Sequence, residues 1–247
     1  MTVARLRREL VAAGDPRRAA SAVWFFKTGK GQYGEGDRFA GVPVPVLRKI
    51  ALGYTHLSLA DIELLLASKI HEHRAAALEI LVAQYKKADA GVRQAIFDFY
   101  LRNTARINNW DLVDASARDI VGGHLLKRSK QVLYRLAHSP ILWERRIAIV
   151  ATLKFLKAGR TTETFRLAKL LLADQHDLIH KAAGWALREA GKVSPDSLLQ
   201  FLEANYGAIP RTTFRYAIER FSPAERKRLL AGKFNQQARA GFHDRAR

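Results

Sequence analysis

An all-α solenoid of paired antiparallel helices is the fold that this chain's pattern of apolar residues predicts. Three observations carry that reading. Apolar residues recur at i, i+3, i+4 and i+7 in segment after segment, as in Leu78, Leu81, Val82 and Tyr85. Short turns marked by Gly, Pro and capping Ser, Asp or Asn separate those segments. Nothing reads convincingly as the period-two pattern of a strand pair. A single domain over residues 1–232 is expected, followed by a polar, basic and flexible tail over residues 233–247.

The elements follow in order. Residues 3–13 set apolar against basic positions at helical spacing, and Gly14-Asp15-Pro16 ends the segment. A second helix is predicted from about Pro16 to Lys27, with Trp24, Phe25 and Phe26 near its end. Thr28 to Gly41 contains five glycines and reads as a loop. It lacks the G-x-x-x-x-G-K-[ST] pattern, which argues against a nucleotide-binding P-loop. Val42-Pro43-Val44-Pro45 then leads into a helix carrying Val46, Leu47, Ile50 and Ala51. Ser58 is placed to cap a helix with Asp61 in its first turn and Ile62, Leu65 and Leu66 on its apolar face. The helix of Leu78 to Tyr85 closes at Lys86-Lys87 and Gly91, and Val92, Ile96, Phe99 and Tyr100 mark the next. Asn109 is an N-cap, which makes Trp110 the first residue of its helix. After Val132, Leu133 and Leu136, a long helix is predicted from about Pro140 to Lys157, with Gly159 behind it. Residues 163–173 and 177–190 form a further pair closed by Gly191, and Ser194-Pro195 and Ser222-Pro223-x-Glu225 cap two more helices. The pairs recur roughly every 35–45 residues, the spacing of HEAT-type repeats. Stacking of such pairs makes a superhelical solenoid with a concave face, and in this chain that face is expected to be basic.

Composition narrows the partner. The chain has 247 residues, 42 Lys and Arg against 23 Asp and Glu, and a formal net charge of +19. Self-repulsion on that scale implies a polyanionic partner, nucleic acid before an acidic protein or a membrane surface. There is no cysteine, which excludes disulfides, thiolate zinc sites and a cysteine nucleophile. The eight histidines make no metal set: His71-x-His73 points to different helix faces, and His176-x-x-x-His180 lacks the Glu of H-E-x-x-H. No metal, no cofactor and no membrane contact are expected. No apolar run approaches the ~20 residues of a membrane span and the N-terminus lacks a signal-peptide core, so a cytoplasmic monomer is expected.

Three stretches hold residues able to do chemistry. In Asn108-Asn109-Trp110-Asp111-Leu112-Val113-Asp114, a rotation of ~100° per residue brings Trp110 and Asp114 to nearly one line beside the apolar arc. Asp111, in the first turn, complements the helix macrodipole; Asp114, a turn further in, is less well explained that way. On the long helix, Trp143, Arg146, Lys154 and Lys157 share one arc, and a planar guanidinium such as that of Arg146 can hold a phosphate bidentately. Solvated surface cations are the competing explanation for Lys154 and Lys157. Further on, Trp185 borders the apolar arc of its helix beside Lys181 and Arg188, where it is either a core residue or an exposed ring. Gly184 costs a helix interior ~1 kcal/mol, which suggests that something approaches the backbone there.

Together, Trp110-Asp111-x-Val113-Asp114, Trp143-x-x-Arg146 and Lys181-Ala182-x-Gly184-Trp185-x-Leu187-Arg188-Glu189 resemble the AlkD-type DNA alkylation repair glycosylases. Phe25-Phe26-Lys27, Phe39-x-Gly41-Val42 and Pro210-Arg211-Thr212-x-x-Arg215-Tyr216-Ala217-Ile218-Glu219 extend the likeness over roughly residues 20–221. The Gly-rich insertion Gly29–Gly36 departs from some members. The resemblance implies a HEAT-like solenoid on duplex DNA that hydrolyses the N-glycosidic bond of cationic alkylpurines such as 3-methyladenine and 7-methylguanine, a base excision repair activity. It implies catalytic roles for Asp114, Trp110 and Trp185 and a phosphate contact for Arg146; Trp143 and Lys154 on the same arc as Arg146, and Lys181 and Arg188 beside Trp185, are expected as further DNA contacts. It also implies a lesion engaged through its sugar and backbone rather than in a deep base pocket. The alternative is a non-catalytic HEAT-like scaffold that binds nucleic acid without turnover.

Overall fold

The structure, a computed structural model, describes residues 2–234, and all regular elements among them are helical. The one β contact among the described residues is an isolated parallel bridge between Arg38 and Ile70. Helices α1 to α7 span Val3–Ala12, Pro16–Phe25, Val44–Leu52, Leu59–Leu66, His71–Lys87, Ala90–Arg102 and Trp110–Ser116. The short α8 is Gly123–Leu125, and α9 to α12 are Gln131–Ala137, Leu142–Ala151, Leu153–Lys157 and Thr162–Leu170. The last four, α13 to α16, are Asp177–Val193, Pro195–Ala204, Arg211–Ala217 and Pro223–Leu230. Many neighbouring helices pack on one another, among them α4 on α5, α9 on α10 and α12 on α13, an arrangement compatible with a helical solenoid. The packing divides into two compact units, residues 1–124 and 125–247.

Local chemistry accounts for most boundaries. Asp15 accepts from Arg17 N at 2.7 Å and starts α2 with Pro16 in its first turn. Ser58 and Asp61 form a reciprocal capping box at α4. Two expected elements differ. The helix predicted over residues 140–157 is interrupted at Thr152, whose hydroxyl donates to Ile149 O at 2.7 Å while its backbone N–H bonds the same carbonyl at 3.1 Å. That tightened turn separates α10 from α11. Gly191 does not end its helix: it is buried inside α13, which continues to Val193 and stops at Ser194, the residue that also caps α14. In the predicted tail, Lys233 N bonds Arg228 O at 3.1 Å and the Phe234 ring meets Tyr206 at 5.5 Å. Residues 235–247 of that tail lie outside the described residues.

Each unit is built on a 17-residue helix. In the second unit α13 packs against α10, α12, α14 and α15. Its Gly184 is the point of closest approach: a Cβ there would lie 2.5 Å from Tyr216 Cβ and 2.7 Å from Thr213 O. The missing side chain therefore admits the backbone of α15, which answers why a glycine sits in mid-helix.

In the first unit α5 packs against α3, α4 and α7, and its N-terminal turn is buried although it reads His71-Glu72-His73-Arg74. Most polar groups there are bonded, the exceptions being His73 Nε2 and Arg74 Nε. The Glu72 carboxylate accepts from the backbone N–H of Ala40 at 2.9 Å and of Gly41 at 2.7 Å. Gly41 (φ +78°) also runs tight against α2, since a Cβ there would meet Asp15 O at 2.1 Å. The glycine-rich segment is thereby fixed to both α2 and α5. Arg74 Nη2 donates to Asp37 Oδ1 at 2.7 Å, and His71 lies between Asp111 (Nε2 to Oδ2, 2.7 Å) and Asp37 (Nδ1 to Oδ2, 3.3 Å). Burial alone would push the His71 pKa down, but its hydrogen bonds to Asp111 and Asp37 outweigh that and raise it to about 9. Burial pushes Asp37 the other way, and the bonds from His71 and Arg74 leave its carboxyl below the usual 3.8.

Two outcomes follow. Gly184→Ala forces α13 and α15 apart against backbone and Cβ atoms that have no rotamer to yield, at a cost of about 2 kcal/mol; a urea midpoint equal to that of the parent would contradict the packing described. The His71 contribution has a defined pH window. Its folded pKa lies above the unfolded 6.5, so the stabilisation is complete below pH 6.5 and is lost as pH rises through about 9. Its size is on the order of 3 kcal/mol. Denaturation curves between pH 6 and 9.5 should show the parent losing stability that His71→Gln, already without the charge, does not lose; parallel pH profiles would rule the charged imidazole out.

Candidate active site

The candidate site starts at the N-terminus of α7. Asn109, fully buried, adopts an extended backbone and its Oδ1 accepts from Trp110 N at 2.8 Å, the expected N-cap. Its Nδ2 donates to Asp37 Oδ2 at 3.4 Å, so the cap is tied to the same carboxylate that holds His71 and Arg74. Asp111 lies in the first turn, favourable against the helix dipole, but its principal partner is His71 rather than the helix itself.

Trp110 is half-buried and its ring is wedged into an aromatic stack. Phe26 lies nearly parallel to it at 5.5 Å and 24°, and Phe25 meets it edge-on at 5.8 Å. The stack continues from Phe26 to Phe39 at 5.1 Å and to His71 at 4.9 Å. The imidazolium therefore has a phenyl face on one side and carboxylates at its two nitrogens, an arrangement that favours its charged form. One turn on from Trp110, the half-buried Asp114 lines the same cleft of about 270 Å³. Val44, Leu47 and Leu78 form apolar lining, and Arg48 and Glu79, paired at 2.7 Å, line the cleft as well. Below α7, the buried Tyr100 hydroxyl bonds Ser116 Oγ at 2.9 Å. Burial raises its pKa far above the usual value, and the charge of Asp114 adds to that. The cleft thus presents an aromatic face, a carboxylate and an apolar wall within one unit.

The other candidate residues belong to the second unit. Arg146 is buried and its Nη1 donates to Leu178 O at 2.6 Å, joining α10 to the start of α13. Trp143 is only 7% exposed, a core ring rather than an open surface. Lys154 is half-buried and Lys157 exposed. On α13, Trp185 is half-buried next to Gly184. Lys181 pairs with Asp177 at 2.7 Å, and Arg188 pairs with Glu189 at 3.2 Å and with Glu219. These are partly exposed ion pairs worth ~0–1 kcal/mol.

Sequence reasoning found Trp110, Asp114 and the cap but missed what supports them. His71, Asp37 and Arg74 come together across sequence separations of 34 and 37 residues, and Asp37 sits in a loop without periodicity. The signal that was present is the polar quartet His71-Glu72-His73-Arg74 opening an otherwise apolar helix. Among the described residues no group of three or more His, Asp or Glu side chains could hold a metal ion, and no helix is long and apolar enough to cross a membrane.

Comparison with known proteins agrees with this picture. No curated protein matches the chain. A solved structure described as a predicted DNA alkylation repair enzyme from Enterococcus faecalis shares the fold, with a TM-score of 0.67 over 85% of this chain and 97% of that one, at 17% identity. The sequence profile of the DNA alkylation repair enzyme family matches residues 6–221, nearly the whole described chain. This protein belongs to the DNA alkylation repair enzyme family.

Proposed function

We propose that the protein is a DNA glycosylase that hydrolyses the N-glycosidic bond of cationic alkylated purines in duplex DNA. The observation that carries this is the cleft in which Trp110, fixed by Phe25 and Phe26, lies one helical turn from the carboxyl of Asp114.

The chemistry asks for little more. A purine alkylated at N3 or N7 already carries positive charge, so the C1′–N bond breaks with its electron pair moving to the ring and the base departs neutral. No general acid is needed. Positive charge develops on the sugar, where the Asp114 carboxylate stabilises it, and the same group orients the water that adds to C1′ and accepts the proton the water gives up. The face of Trp110 attracts the cationic centre by ~0.5–2 kcal/mol, and Trp185, in the second unit, offers the substrate a further aromatic face. Arg146 serves the strand through a phosphate, with Trp143 behind it as support and Lys154, Lys181 and Arg188 as further backbone contacts. The excess of 42 basic over 23 acidic residues supports a polyanionic substrate.

For Asp114→Asn the expected outcome is a loss of about 10²–10³-fold in single-turnover release of 7-methylguanine from methylated duplex, with DNA affinity equal to the parent's or higher. Affinity lost together with release would make Asp114 structural. In the second unit, Arg146→Ala should weaken duplex binding and make the slope of log K against log salt shallower by about 0.9, one phosphate contact. It should also lower stability, because Leu178 O loses its donor. An unchanged slope confines Arg146 to that structural bond. A parent that binds duplex yet releases no alkylpurine is a scaffold.

A further inference from the structure

The C-terminal end of α2 carries a surface that the chemistry above leaves unused. Trp24 is 84% exposed, and its neighbours Val23 and Phe25 are also exposed. Three exposed apolar side chains, one of them an indole, therefore gather at one helix end. Phe25 is the residue whose ring touches Trp110, so the exposed surface is continuous with the candidate active site.

The backbone next to Trp24 is shaped to project charge. Lys27 has φ +51°, the left-handed conformation that a helix-terminating position usually gives to glycine. Lys27 N bonds Trp24 O at 3.2 Å and Thr28 N bonds Val23 O at 3.3 Å, which closes the helix end. The chain then leaves as a loop and returns where Gly34 N bonds Lys27 O at 3.1 Å. Only glycine permits that return, since a Cβ on Gly34 would meet Phe26 O at 2.4 Å. Gly29 and Gly31 are held by the side chains of Gln32 and Glu35, and Lys30 is exposed between them. From Pro16 to Gly34 the chain has Arg17, Arg18, Lys27 and Lys30 and no Asp or Glu. A second copy of this chain, itself strongly basic, fits that charge poorly; a polyanion, nucleic acid first, fits it well.

We propose that Trp24, Lys27 and Lys30 form a further DNA-contact element, in which the indole stacks on a base left unstacked beside the damaged nucleotide and the two ammonium groups meet flanking phosphates. The inference rests on the reading that the protein acts on duplex DNA. An aromatic ring recognises any exposed base through its π face, so the element is selective for a disrupted stack and indifferent to sequence. Lys27 and Lys30 contribute the salt-dependent part of the contact.

The test compares fluorescence anisotropy on two duplexes, one fully paired and one carrying a tetrahydrofuran abasic analogue opposite thymine. Trp24→Ala should weaken binding to the second about tenfold and to the first less than twofold, with Trp24→Phe recovering most of the loss. Lys30→Ala should make the salt slope shallower by about 0.9 on both duplexes. Because these side chains are exposed, thermal melts of the variants should match the parent and confirm folding. Equal losses on both duplexes, or none, overturn the stacking role. So does a Trp24→Ala effect confined to self-association in sedimentation, or to binding of anionic phosphatidylserine vesicles. If the parent binds neither duplex, the proposed function falls with this inference; if the parent binds and releases 7-methylguanine while Trp24→Ala equals it on both duplexes, only this inference falls.

Discussion

The first unit depends on a set of charges that cancel where water does not reach. His71 and Arg74 face Asp37 and Asp111, two cations and two carboxylates, and three of the four are almost fully buried. Taking such ions out of water costs several kcal/mol each, so the set holds only as a whole. Its members come from the glycine-rich loop, from α5 and from α7, three parts of the chain with no local reason to meet. Asn109, the cap of α7, hydrogen-bonds the same Asp37. The orientation of Trp110 is therefore a consequence of ionic neutrality one layer beneath it. Phe26 and Phe39, stacked on the His71 ring, carry that order up to the indole. A site that must hold an aromatic face at a fixed angle gains from being built on groups whose displacement leaves a buried charge uncompensated.

Much of this was legible in the sequence, and the exceptions have physical causes. The helices were visible because period and caps agree: Asp15 before Pro16, Ser58 with Asp61 and Asn109 before Trp110 all act as their residue types suggest. The break at Thr152 was not visible, because a threonine in a helical run declares itself only when its hydroxyl turns back to the carbonyl. Gly191 was misread as a stop, since a glycine sits inside a helix as readily as after it when tertiary packing covers it. Gly184 was read correctly as a place of close approach, though only the structure identifies α15 as the approaching element. The site divides in the same way. Helical periodicity puts Trp110 and Asp114 on one line and the resemblance marks them as candidates; both line one cleft. Nothing in the sequence singles out His71 beyond a metal test that it fails, because its contacts lie 34 and 40 residues away.

The second unit shows a different economy. Arg146 is buried and engaged with the backbone of α13, and Lys181 and Arg188 sit in ion pairs. Paired cations of this kind stay ordered in the absence of a ligand and exchange one anion for another at small cost when partly exposed. In the proposed function these cations register the strand through its phosphates without reading its bases. The candidate cleft of the first unit is lined by the carboxyls of Asp114, Asp111 and Glu79, the last two engaged by His71 and Arg48, with one held aromatic ring and an apolar wall. That equipment matches a leaving group that departs without protonation and falls short for one that needs an acid.

The central claim is therefore about charge on the base. The most direct measurement is single-turnover release by the parent protein from duplexes of one sequence carrying 7-methyldeoxyguanosine, 3-methyldeoxyadenosine or the neutral deoxyinosine. The account predicts release of the two cationic purines and no measurable release of hypoxanthine. Comparable rates on all three would contradict it, because a neutral purine leaves only with protonation, while Glu79 and Asp111 are held as carboxylates by Arg48 and His71 and Asp114 is committed to the sugar.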